Sequence, residues 1–188
     1  MRKDFGPKNY LFPMPVLMIA TYGENDEVDV MNMAWGGICD SDKVALNITE
    51  GHKTSKNIKA RGAFTISVAD AAHVVEADYL GIVSGNKTDD KFARSGLTAT
   101  KSTHVDAPII EEWPVTLECE VLEMHKCEWG FRVVGRIVNA TAREDVLAAD
   151  GKPDVEKMNA ICFDTFHNGY YTIGERVGTA FSDGKKLK

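Results

Sequence analysis

Strand-like, period-two patterning dominates this chain and predicts a mainly β fold of the α+β class: a barrel decorated by a few inserted helices rather than a doubly wound sheet. Two observations carry that expectation. Six or more short segments alternate apolar and polar residues, among them Val44, Leu46 and Ile48 against Ala45, Asn47 and Thr49, and Phe64, Ile66 and Val68 against Thr65 and Ser67. Only three segments have helical length, and they are interspersed among the strands.

In chain order, "PVLMIATY" reads as a buried strand, "GENDE" as a turn and "VDVMNMAWGG" as the hairpin partner, ended by Gly36 and Gly37. The strands at 44–49 and 64–68 read as half-buried. Between them "TSKNIKARG" gives about two helical turns, with Thr54 or Ser55 as N-cap and Gly62 just past the end. "AAHVVEADYLGIVSG" is a second helix, and "TDDKFARSG" a third, capped by Thr88 with Asp89 and Asp90 in its first turn. "VTLECEVLEMHKC" alternates until its phase slips at Leu122, where a bulge restores the pattern. "GFRVVGRIVNATA" is its antiparallel partner across the turn "CEWG", and Gly135 offers a bend of the kind closed sheets use. "DVEKM" is at most one turn, and "ICFDTF" and "YYTIGERV" supply one or two late strands.

A length of 188 residues, 44% of them hydrophobic, suits one sizeable core, so residues 1–188 read as a single domain. A formal charge of −6 argues against nucleic-acid binding, which needs a basic face for the phosphate backbone. Four cysteines, Cys39, Cys119, Cys127 and Cys162, form no C-x-x-C pair, and the spacing of histidines and cysteines suggests no metal site. Free thiols in a reducing cytoplasm are expected. Pro13 and Pro15 interrupt the apolar run near the N-terminus, no small-x-small cleavage site follows, and no run approaches the ~20 apolar residues of a membrane span. The expectation is a cytoplasmic protein that contacts neither membrane nor nucleic acid.

Two stretches could carry chemistry. In "TEGHKTSKNIKARGAF", Gly51 permits a sharp turn into a helix whose free N–H groups point back at the turn; Lys53 adds charge, Thr54 and Ser55 hydroxyls, Asn57 an amide. That set can seat a phosphate monoester, although an ordinary capped helix start would read similarly. It is neither a Walker loop nor a Rossmann fingerprint, and "GIVSGNK" lacks the required glycine spacing too. In "VMNMAWGGICDSD", Asn32 and Ala34 share a face, Trp35 lies on the other, and two glycines let a flat ligand approach the backbone; a strand end with Trp35 as a core anchor is the competing reading. Cys39 follows closely but has no neighbouring cysteine or basic cluster, so it reads as structural.

The succession "PVLMIATY", "NMAWGGICDSDKVALNI", "HKTSKNIKARGAFTISV", "DKFARSGLT", "APIIEEWPVTLECEV" and "IGERVGTAFSDGK" resembles the flavin reductase-like family of FMN-binding split barrels, and within it the flavoredoxin branch. The blocks run in family order from about Pro15 to Lys185. The resemblance implies a split β-barrel, a homodimer and one FMN per subunit near the dimer interface. It implies that the phosphate meets Lys53, Thr54, Ser55 and Asn57 and that the isoalloxazine edge lies along Asn32, Met33, Ala34 and Trp35. Lys91 is implied to reach the flavin or its phosphate, and Phe163 to supply an aromatic wall. His52 stands where many relatives carry arginine, and Asn32 where threonine is frequent.

The resemblance then implies an FMN-dependent oxidoreductase: an NAD(P)H-dependent flavin reductase, drawing on NADH or NADPH, or a flavoredoxin-type carrier serving a redox protein partner. A non-catalytic flavin or small-ligand barrel is the alternative. Such a protein needs no acid, base or nucleophile of its own, so no catalytic residue is assigned. Donors after Asn32, or Lys91, would steady an anionic reduced ring.

Overall fold

The structure, a computed structural model, describes residues 1–188. Twelve strands and four α-helices follow in the order β1 (Met14–Pro15), β2 (Leu17–Tyr22), β3 (Val28–Met33), β4 (Gly36–Asp40), β5 (Lys43–Thr49), α1 (Lys53–Arg61), β6 (Ala63–Val68), α2 (Val74–Ile82) and α3 (Lys91–Ser95). They continue as β7 (Ala99–Lys101), β8 (Pro108–Ile110), β9 (Val115–Cys127), β10 (Gly130–Ala142), α4 (Val155–Met158), β11 (Ile161–Asp164) and β12 (Gly169–Thr172).

The main sheet is antiparallel and orders its seven strands β3-β2-β6-β9-β10-β5-β4. Its two outermost strands, β3 and β4, are consecutive in the chain, separated only by Ala34 and Trp35. Laid flat, seven strands would hold their outer edges about 29 Å apart. The Cα atoms of Met33 and Gly36 can be no more than about 11 Å apart. The sheet therefore curls into a cylinder, closed where Ala34 and Trp35 carry the chain across the seam. Gly36 and Gly37 thus open β4 rather than end the preceding hairpin strand. A glycine there marks close packing: a Cβ on Gly36 would come within 2.7 Å of the Leu46 side chain.

Two register shifts help β9 and β10 to bend. The first falls at the predicted bulge, with Val134 facing Glu123 and Gly135 facing Val121, so that Leu122 is the extra residue. Gly135 makes room for the Phe64 ring, which a Cβ would approach to 2.5 Å.

Alternation along β2 divides the protein into two apolar regions. Leu17 and Ile19 point into the cylinder with Met31, Met33, Val44, Leu46, Ile48, Phe64, Ile66 and Val133. Val16, Met18 and Ala20 point outward and pack with Ala77 and Leu80 of α2, Ile110, Trp113 and Ile161. Helix α1 contributes Ile58 to the cylinder's interior. At its end Gly62 adopts φ 67° and donates its N–H to the Ile58 carbonyl, the expected glycine cap.

Strand β6 is buried on both faces rather than half-buried. Its polar face is covered and satisfied: the Thr65 hydroxyl donates to the Pro108 carbonyl at 2.6 Å, and Ser67 and Thr116 share a hydrogen bond of 2.8 Å. Hydroxyls with built-in partners can be buried without the cost of a lost hydrogen bond, which is why alternation alone misled here. No helix is long and apolar enough to cross a membrane.

Candidate functional site

Helix α1 begins at the open end of β5, and its N-cap residue is His52, not Thr54 or Ser55. His52 has extended φ and ψ of −71° and 146° and makes no side-chain cap, and the first turn carries no acidic residue. The hydroxyls expected at the cap are instead turned inward. Thr54 donates from Oγ1 to Asp29 Oδ2 at 2.6 Å, and Ser55 donates from Oγ to the Thr49 carbonyl at 2.7 Å. Asn57 Nδ2 donates to Thr21 Oγ1 at 3.0 Å, and all three residues are buried. These contacts tie the helix to β2, β3 and β5, leaving the first-turn backbone amides uncapped by any side chain.

Around that helix start opens a cleft of about 270 Å³, lined among others by Asp29, His52, Lys53, Thr54, Ser84, Gly85 and Lys91. Ser55 and Asn57 do not line it; their side chains brace the helix from behind. Lys91, at the start of α3, is buried at 5% exposure and donates from Nζ to the Val30 carbonyl at 2.7 Å. Burial pushes its pKa below the ordinary lysine range; neighbouring Asp29 opposes that shift, and Lys53 adds to it. Lys53 reaches Glu27 at 3.0 Å from the other wall. Gly85 closes the floor where nothing larger fits, since a Cβ would lie 2.5 Å from Asp29 Oδ1 and 3.1 Å from Lys53 Cδ. Uncapped amides, two lysines and a glycine floor are the chemistry of an oxyanion seat.

A second groove of about 170 Å³ adjoins the first. The two share Asn32, Gly81 and Ile82 as lining residues. Met33, Ala34, Trp35, Asp78, Phe163 and Tyr170 complete it. Trp35 is about half exposed, so it lines the groove rather than anchoring the core. The Trp35 and Phe163 ring centroids lie 6.4 Å apart, and those of Phe163 and Tyr170 6.0 Å. Gly81 lets α2 lie close against β3: a Cβ there would meet Asn32 Cβ at 3.1 Å. The groove therefore has flat aromatic walls at one end and backbone at the other.

The structure thus brings Lys53, Thr54 and Lys91 into one cleft and Asn32, Met33, Ala34, Trp35 and Phe163 into the groove beside it. Sequence reasoning missed Asp78, Gly81, Ser84, Gly85 and Tyr170. "GIVSGNK" carried a signal, but its glycines serve close packing against Asn32 and Asp29 rather than a nucleotide fingerprint. Nothing local in the sequence marks Tyr170.

A curled antiparallel sheet with an anion seat beside an aromatic groove suits a ligand with an anionic tail and a flat ring. The flavin reductase like domain family matches residues 9–157, and the chain belongs to that family. The flavoredoxin of Desulfovibrio vulgaris (Miyazaki F) has 35% sequence identity and a TM-score of 0.93, the match covering 98% of this chain and 100% of that one. The flavoredoxin of Methanosarcina acetivorans matches at 26% identity and a TM-score of 0.90, covering all of both chains. An uncharacterised protein of Pyrococcus abyssi is 28% identical over 148 residues, 78% of this chain and 83% of that protein. Fold and family together support an FMN-binding oxidoreductase or electron-transfer role.

Proposed function

We propose that this protein holds one FMN as a retained prosthetic group and works as a flavoredoxin-type electron carrier. The phosphate sits at the start of α1 between Lys53 and Lys91, and the ring lies in the groove along Asn32–Trp35. The observation that carries this reading is the junction at Asn32, Gly81 and Ile82 between a cleft bearing two lysines and an aromatic groove. A ligand with an anionic tail and a flat ring matches that pairing. Bound FMN supplies two-electron acceptance from a nicotinamide and one-electron exchange with a partner. The chain's residues bind and orient: the first-turn amides of α1 and the two ammonium groups neutralise the tail, and Trp35 and Phe163 flank the ring.

The cover of the two flavoredoxins over nearly the whole chain favours a carrier over a reductase that releases its flavin. NADH or NADPH as donor, a redox protein as acceptor and a cytoplasmic location belong to the same proposal. So does a homodimer, which would bury the arm after β12, where Val177, Phe181 and Leu187 are almost wholly exposed. Anaerobic assay of the purified, yellow protein with each nicotinamide tests the reading. Retained FMN without turnover of added free FMN is the expected result; nicotinamide oxidation that scales with free FMN would show a reductase instead.

A further inference from the structure

Asn32 is the hinge between cleft and groove, and which end of its amide faces a ligand is set from behind. An amide offers one carbonyl acceptor and two N–H donors. Asn32 Nδ2 donates to the Ala77 carbonyl at 3.1 Å and to the Tyr170 hydroxyl oxygen at 3.3 Å. Tyr170 in turn donates its hydroxyl hydrogen to Asp78 Oδ1 at 2.9 Å. An ionised carboxylate can only accept, so Asp78 compels the tyrosine to donate to it. The tyrosine oxygen is then left to accept, which requires the NH₂ end of Asn32 to face it. Two acceptors, Ala77 O and Tyr170 Oη, thus claim both amide hydrogens. The atom left for a ligand is Asn32 Oδ1.

We propose that Tyr170, oriented by Asp78, is a positioning residue that fixes Asn32 with its carbonyl oxygen toward the ring groove, so that this edge of the site recognises an N–H of a planar heterocycle. The inference rests on the proposed binding of FMN for its ligand. The three residues come from β3, α2 and β12, so the late hairpin helps build the ring site as well as covering it. The chain of bonds runs one way, from Asn32 through Tyr170 to Asp78. Tyr170 is held in its neutral, donating form, because burial and then the Asp78 carboxylate push its pKa up to about 12.

The test compares wild type, Tyr170→Phe, Asn32→Ala and the double variant, each first shown to unfold at a similar temperature. Side-chain amide NMR of the apoprotein reads Asn32 directly, and FMN titration with a dye-equilibrated reduction of the bound flavin reads the site. Expected are two distinct, slowly exchanging Asn32 NH₂ signals in wild type that shift and exchange faster in Tyr170→Phe. FMN should bind about three- to tenfold more weakly to Tyr170→Phe than to wild type. Its reduction potential should move as well, and Tyr170→Phe should add nothing in the Asn32→Ala background. Unaltered Asn32 signals in Tyr170→Phe, or a loss of affinity that multiplies in the double variant, would overturn the positioning role while leaving FMN binding intact. Failure of wild type to bind FMN would remove the proposed function and this inference together.

Discussion

Two buried carboxylates, three strands apart in the main sheet, are treated in opposite ways. Glu118 on β9 is 1% exposed and fully engaged: Ser102, Asn139 and His104 all donate to it. Asp29 on β3 is 3% exposed, yet its hydrogen-bond donor is Thr54 alone, and it lies beside a cleft with Lys53 and Lys91. Around Glu118 donors and acceptors balance within the chain, which is what a structural network needs. Around Asp29 the lysines are held more loosely, Lys53 by Glu27 at 3.0 Å and Lys91 by the Val30 carbonyl, next to open volume. Lysines and uncapped amides that border open volume, rather than closing on one another, are free to engage an anionic ligand.

The comparison breaks most readily through stability. Glu118→Leu should cost about 3 kcal/mol by leaving three donors unmatched, with FMN affinity unchanged; chemical denaturation and a flavin titration check both halves. The same network has a pH signature. Burial pushes the Glu118 pKa up, but the hydrogen bonds from Ser102, Asn139 and His104 outweigh it, so the folded value lies below 4.5. Its contribution is therefore complete above pH 4.5 and is lost as pH falls through the folded value. Wild type should lose stability faster than Glu118→Gln across that acid limb.

On the cleft side the expected losses fall on binding. Gly85→Ala forces a methyl against Asp29 and Lys53 and should weaken FMN binding about 20-fold, roughly 2 kcal/mol, as read by fluorescence titration. Lys91→Ala should weaken it about tenfold. Because burial lowers the Lys91 pKa, wild-type FMN affinity should fall on alkalinisation already below pH 10.5, and Lys91→Arg should remove that limb. The smallest effect sharpens the contrast within α1 itself. Ser55→Ala deletes a brace to Thr49 and should cost about 1 kcal/mol of stability, with no change in FMN affinity; an affinity loss would return Ser55 to the site.

How much of this was legible depended on whether the interacting residues were near in sequence. The seat at α1 could be read because Gly51, His52, Lys53 and the helix that follows are contiguous. Its polar side chains could not be placed, because Thr54 and Asn57 find Asp29 and Thr21 on distant strands and Ser55 turns back to the Thr49 carbonyl. The bulge at Leu122 announced itself as a slip in alternation. The burial of Thr65 and Ser67 did not, since their satisfaction depends on Pro108 and Thr116 across the fold. Gly36 and Gly37 carried an ambiguous signal, for glycine marks both turn and close approach. Tyr170 and Asp78, 92 positions apart, could be joined only by the fold.

FMN binding of the proposed kind requires that an anionic tail be held at the start of α1. Titrating the apoprotein with FMN and with riboflavin, in wild type and Lys53→Ala, measures that directly, because the two ligands share the ring and differ in the phosphate. Wild type should prefer FMN by about 100-fold, a difference near 2.7 kcal/mol that charge-assisted contacts supply, and Lys53→Ala should erase most of the preference. Equal affinity for the two ligands in wild type would contradict the account.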